Sequence, residues 1–145
     1  MSTQEKTNAM LEKTAELQHL YKRITDSLLT ELGLSLSAIN LIELIGDEEM
    51  TLKDITQKSQ LDKSTISRQM NALVRKELVT KTIGEDKRFA YFKLTEKASD
   101  VFHSYEGQLK SRFHMILSGW TEEEIHMLTV LLGRLNRSIV NRLGK

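Results

Sequence analysis

Along most of this chain, apolar residues recur at the three- and four-residue spacing of helices buried on one side. From Thr7 to Leu32 the stripe runs Met10, Leu17, Leu20, Tyr21, Ile24 and Leu28, and Gly33 supplies a C-terminal stop. Ser35 is placed to cap a second helix carrying Leu36, Ile39, Ile42 and Ile45, which the turn Gly46-Asp47-Glu48-Glu49 ends. Thr51 then caps a short helix, Leu52–Lys58, with Leu52 and Ile55 inward. Ser59-Gln60-Leu61 leads on to Asp62, a good N-cap for a fourth helix reaching Lys76. After it the period changes. Leu78–Ile83 and Phe89–Leu94 are rich in β-branched and aromatic residues and flank Gly84-Glu85-Asp86-Lys87-Arg88, which predicts a β-hairpin with a five-residue tip. From Thr95 the helical rhythm returns through Ala98, Val101, Phe102, Tyr105, Leu109, Phe113, Ile116 or Leu117, and Trp120. Thr121 and Glu124 form a capping box for a last helix carrying Ile125, Leu128, Leu132, Leu135, Ile139 and Leu143. The pattern predicts a mainly α chain with one small β-hairpin.

The stretch Asp62–Lys76 carries the chemistry. On a helix, Ile66, Met70, Leu73 and Val74 share one face. Ser64, Ser67, Arg68, Asn71 and Arg75 share the other, with Lys63 and Thr65 flanking the first turn. A solvated helix face tends to mix Glu with Lys. This one holds small hydroxyls, an amide and cations, and its acids stand at the ends, Asp62 and Glu77. Short hydroxyls allow close approach to another surface, and Arg forks onto phosphate or guanine. Two short helices, the second with such a face, make a helix-turn-helix, and the hairpin that follows makes a wing. At its tip Lys87 and Arg88 are available to a narrow minor groove, with Asp86 near enough to hold an Arg.

Charge sharpens this picture. The net charge is +1, but residues 52–97 hold 11 Lys or Arg against 6 Asp or Glu, and the rest holds 10 against 14. A basic centre between acidic ends suits a nucleic-acid-binding lobe carried on helices with another task. That task is assembly. Stripes as long as those of the first and last helices exceed what a small lobe can cover, and a second copy of the chain would cover them. At 145 residues the chain has room for one domain with helical extensions. The absence of Pro and a 28% charged content favour helices. There is no Cys, so disulfides and thiol chemistry are excluded and a reducing cytoplasm is expected. No apolar run approaches a membrane span, and MSTQEKTNAM lacks a signal-peptide core.

The order of elements, together with LSLSAINLIELI, STISRQMNALVRKELV, EDKRFAYFKLTEKA and LSGWTEEE, resembles the multiple-antibiotic-resistance regulator (MarR) family over about Leu34–Leu135. The most telling piece is Asp86-Lys87-Arg88 followed by Leu94-Thr95-Glu96-Lys97, similar to the family's D-x-R wing and L-T-x-K segment. The resemblance implies a winged helix-turn-helix homodimer that binds a pseudo-palindromic DNA site. Many such proteins are repressors released by small aromatic or phenolic effectors. It implies a single domain over 1–145, with the DNA-binding lobe at 35–97 and dimerisation helices at 1–33 and 98–145. The candidate DNA-binding residues are Lys63, Ser64, Thr65, Ser67, Arg68, Asn71, Arg75, Asp86, Lys87 and Arg88. Three positions depart from the family pattern: Ala38 stands for a usual Gln, and Glu77 and Ala98 for usual glycines. At Glu77 a left-handed C-cap would cost a non-Gly residue about 1 kcal/mol.

Other chemistries find less support. His103 and His114 share a helix face but lie about 16 Å apart along its axis, too far for one ion whose ligands sit at about 2 Å. No metal site or cofactor is expected. Nucleophile-elbow, phosphate-loop and zinc-protease motifs are absent, so an enzyme is not expected either. The aromatic residues Phe102, Tyr105, Phe113 and Trp120 fall on one stripe, as core or dimer packing requires. The alternative function is a winged-helix module for protein–protein contacts.

Overall fold

The computed structural model describes residues 1–144. Nine elements follow one another: α1 (Thr3–Leu32), α2 (Leu36–Ile45), β1 (Met50–Thr51), α3 (Leu52–Ser59), α4 (Lys63–Arg75), β2 (Val79–Ile83), β3 (Ala90–Leu94), α5 (Glu96–Ile116) and α6 (Glu122–Leu143). They fall into two compact units, the first Met1–Leu109 and the second beginning at Lys110.

In the first unit, caps explain where most helices start. Ser35 Oγ accepts from the Ala38 N–H, and Asp62 accepts from the Thr65 N–H. Thr51 and Asp54 cap each other reciprocally. Helix α1 starts at Thr3, four residues before the expected Thr7, because Ser2 and Glu5 form a capping box ahead of the apolar stripe. The core gathers Ala38, Leu41, Ile42 and Ile45 of α2 with Ile55 of α3 and Ile66, Met70 and Leu73 of α4. Met50, Leu78, Val79, Phe92 and Ala98 close it from the sheet, the turn after α4 and the start of α5. Truncating a side chain as buried as Ile66 to Ala would cost about 2–5 kcal/mol.

The sheet has the order β1-β3-β2, all antiparallel. Strand β1 was not anticipated. It is two residues long, pairing Met50 with Phe92 and Thr51 with Tyr91, and two residues leave no period to read. The hairpin strands start one residue later than expected. Leu78 belongs to the end of α4, and Phe89 to the tip, where its N–H donates to the Asp86 carbonyl at 3.0 Å. A Cβ at Gly84 would lie 2.6 Å from the Tyr91 ring, so a larger residue there would displace that ring.

Helix α4 ends in a Schellman motif. The Leu78 N–H donates to the Leu73 carbonyl and the Glu77 N–H to the Val74 carbonyl, both at 3.0 Å. Glu77 takes φ 63°, the left-handed conformation anticipated for it. Gln60 does the same at the end of α3, with φ 59°. Helix α1 buries Leu28 but leaves the earlier part of its apolar stripe in the open: Met10, Leu17, Leu20 and Tyr21 are 42–48% exposed.

In the second unit, Thr121 and Glu124 form the anticipated capping box of α6. The expected continuation of the preceding stripe to Trp120 does not hold. Helix α5 stops at Ile116, and Trp120 sits in the turn that follows, 44% exposed. No residue of α6 is buried, and Ile125, Leu128, Leu132 and Ile139 are exposed on it.

Candidate nucleic-acid interface

The faces of α4 are as the periodicity requires. Ile66, Met70 and Leu73 are buried, and Val74 is half-buried. Lys63, Ser64, Arg68, Asn71 and Arg75 are exposed, and Thr65 and Ser67 half-exposed. The outward residues divide into two adjacent stripes at 100° per residue. Lys63, Ser67 and Asn71 form one, and Ser64, Arg68 and Arg75 the other.

The first stripe joins the wing. Lys63, Ser67, Asn71 and Arg88 line one groove of about 500 Å³ between α3, α4 and the hairpin. Arg68, Arg75, Ser64, Thr65, Asp86 and Lys87 lie outside its lining. The groove also takes Lys53, Thr56 and Gln57 from α3 and Lys81 from β2, which sequence reasoning did not single out. Part of their signal was present. Residues 53, 56 and 57 keep helical spacing on the side of α3 away from Ile55. Lys81 shares the strand face of buried Val79 and stands opposite Phe92, so alternation alone marks it as inward. The floor is partly apolar, with Leu52, Phe89 and Phe92, and Lys81 Nζ stands 5.8 Å from the Phe92 ring centre.

At the wing tip Asp86 grips Arg88. Both carboxylate oxygens accept from the guanidinium, and the Arg88 backbone N–H adds a bond at 3.1 Å. These side-chain and backbone bonds hold the Asp86 carboxyl below the usual carboxylate range and raise the Arg88 pKa. The Arg88 side chain nevertheless remains 82% exposed, so its free donors face outward.

The first turn of α4 has a different economy. Ser64 Oγ donates to Asp62 at 2.9 Å and Thr65 Oγ1 at 2.7 Å, with the Thr65 N–H at 2.8 Å. The Thr65 N–H and hydroxyl, with Ser64, lower the Asp62 pKa to about 2. In this arrangement Ser64 and Thr65 complete the cap, and Ser67 and Asn71 carry the outward polar groups of the groove.

No group of three His, Asp or Glu side chains among the described residues could hold a metal ion. His103 lies 3.8 Å from Glu106 and edge-on to Phe102. No single helix among the described residues is long and apolar enough to cross a membrane.

Comparison with known proteins bears on the fold that carries this face. A family model described as a winged helix DNA-binding domain matches residues 34–98. The HTH-type transcriptional regulator PchR of Bacillus subtilis (strain 168) is 24% identical over 128 residues, covering 85% of this chain and 76% of PchR. The multiple antibiotic-resistance repressor (MarR) of Listeria monocytogenes superposes with a TM-score of 0.71 at 20% identity, over 100% of this chain and 99% of that one. Streptococcus pneumoniae FabT, solved in complex with DNA, gives 0.72 at 19% identity, over 91% and 98%. Residues 34–98 thus match a winged helix DNA-binding domain, and the chain has the winged helix-turn-helix fold of the MarR-family regulators.

Proposed function

We propose that this protein is a transcriptional regulator that binds a pseudo-palindromic operator in duplex DNA as a homodimer. In this reading it acts as a repressor that a small aromatic or phenolic molecule releases. The observation that carries the reading is the groove shared by α4 and the wing, which gathers Lys63, Ser67, Asn71, Lys81 and Arg88 with no carboxylate among its lining. A duplex offers phosphates and base edges to such a surface. Arg68 and Arg75, on the neighbouring stripe of α4, extend the same basic face. They suit the base-reading and backbone-holding roles, respectively, of a recognition helix.

Dimerisation is supported by the apolar faces left open on α1 and, separately, on α6. A second copy buries such faces, and two-fold symmetry presents two recognition helices about 34 Å apart to inverted half-sites. Selection of bound sequences from a random duplex pool tests the proposal. An enriched inverted repeat with half-sites about one turn apart is the expected result. A salt titration on that duplex should show affinity falling steeply as counterions are released. A folded chain that enriches no sequence and binds without salt dependence would be a protein–protein module instead. Repression is tested by transcription from a promoter carrying the selected site.

A further inference from the structure

Lys76 and Lys97 belong to the basic excess around α4, and by charge alone both would be assigned to phosphates. Their ammonium groups are turned elsewhere. Lys76 Nζ donates to the Gly33 carbonyl at 3.3 Å, and Lys97 Nζ donates to the Lys76 carbonyl at 3.1 Å. Gly33, at φ 69°, is the left-handed cap of α1, which closes in the same motif as α4: the Leu34 N–H reaches the Leu29 carbonyl at 3.0 Å. One lysine side chain therefore ties the end of α1 to the end of α4.

The start of α5 is fastened to the same place. Thr95 Oγ1 donates to the Glu77 carbonyl at 2.8 Å, and the Thr95 N–H donates to the Leu78 carbonyl at 3.0 Å. The same hydroxyl accepts from the Ala98 N–H at 3.2 Å, opening α5. Three consecutive carbonyls, 76 to 78, are thus taken in turn by Lys97, the Thr95 hydroxyl and the Thr95 amide. The first of them, on the C-cap Lys76, is one that a helix end leaves unpaired, and a cation there also suits the helix dipole. Together they make a knot that fixes the C-terminal end of α4 against both α1 and α5.

We infer that Lys76 and Lys97 are positioning residues for DNA recognition, setting the seat of the recognition helix through backbone carbonyls instead of touching the duplex. The inference rests on the DNA-binding reading above and names residues whose role that reading does not supply. Both lysines are exposed, so their bonds add little to global stability. Their effect lies in geometry, because base contacts tolerate little displacement of the helix that carries them.

The test uses the full chain, the duplex selected from the random pool and an unrelated duplex of equal length. Lys76→Met and Lys97→Met should each lower affinity for the selected duplex about tenfold, the size of one disturbed base contact. Affinity for the unrelated duplex should change little. The slope of log affinity against log salt should stay at the wild-type value, whereas loss of a phosphate contact lowers it by about one. Lys97→Arg, which keeps a donor to the carbonyl, should restore most of the preference. A slope reduced by about one would overturn the inference by making the lysine a phosphate contact. Equal losses on both duplexes with a clearly lower melting temperature would overturn it in favour of general stability, and unchanged preference would overturn it outright. A wild-type chain that prefers no duplex refutes the DNA-binding reading instead.

Discussion

The Arg88 guanidinium lies fork-to-fork on the Asp86 carboxylate, with Nη2 to Oδ2 at 2.8 Å and Nε to Oδ1 at 3.0 Å. Two residues of one tip thus fix the direction of a long side chain that would otherwise sample many rotamers before binding. Arg88→Ala should weaken DNA binding on many sequences, most where the flanks are A·T-rich, because narrow grooves attract Arg. Asp86→Ala should give a milder form of the same defect. Binding assays on duplexes differing only in their flanks measure both. A neutral Asp86 change beside a damaging Arg88 change would remove the orienting role from Asp86.

Arg68 is exposed at the middle of α4, one turn beyond Ser64. Its truncation to Ala should cost about 1–3 kcal/mol of specific binding and relax selectivity at one symmetric pair of operator positions. Repeating the sequence selection with the variant reads this directly. An unchanged preference would place Arg68 on a phosphate.

Glu77 holds φ 63° without the freedom of glycine. Glu77→Gly should raise stability by less than about 1 kcal/mol, since relief of left-handed strain is partly offset by the added chain entropy of the unfolded state. Its carbonyl still accepts from Thr95, so the bonds around it survive the change. Urea denaturation of the two proteins is the check, and a lower midpoint for the variant would contradict the strain argument.

Asp62 has its pKa lowered from 3.8 to about 2 by the amide and hydroxyl bonds it accepts in the folded chain. A depressed carboxyl adds stability above its unfolded pKa and loses it as pH falls through the folded value. The cap should therefore keep its full contribution above about pH 5 and shed it progressively toward about pH 2. Asp62→Ala should be less stable than wild type at neutral pH, with the gap narrowing over that acid range. A gap independent of pH would mean the carboxylate charge is not what stabilises the cap.

Assembly gives a fifth expectation. Replacing Leu132 and Leu135 of α6 with Asp should abolish operator binding and leave a monomeric or unfolded chain, since obligate dimers commonly lack a stable folded monomer. Sedimentation at micromolar concentration should show the wild type as a dimer. A well-folded wild-type monomer that binds a single half-site as tightly as the inverted repeat would exclude the symmetric arrangement.

What the sequence made legible follows from what leaves a local trace. Caps did so: Ser35, Thr51, Asp62 and Thr121 all cap the helices their side chains suggest. So did the two faces of α4, because a 3.6-residue period over thirteen residues leaves little freedom. The first turn of α1 was readable from Ser2 and Glu5 but hidden by its lack of apolar residues. Strand β1 had no trace, since its pairing with Phe92 and Tyr91 is decided forty residues away. The same holds for the groove. That Lys53, Thr56 and Gln57 share it with Arg88, while Arg68 and Arg75 do not, depends on how α3, α4 and the hairpin pack. Trp120 misled because a turn can continue a helical spacing for one more residue without being helix.

The short reach of β1 has a mechanical consequence for the wing. Three strands lie side by side only in the middle of the hairpin, where Met50 and Thr51 pair with Phe92 and Tyr91, while Ile83 and Ala90 beyond them are paired with each other alone. A two-stranded ribbon is far more pliable than a three-stranded sheet anchored in a core. The hairpin is thus braced by β1 as far as Tyr91 and compliant beyond it, where the tip carries Arg88. Amide exchange should grade along it, slow at Phe92 and fast at Ile83. In the proposed DNA complex such a tip would follow grooves of different width while α4 stays fixed, so one chain would tolerate varied flanking sequence around a constant half-site.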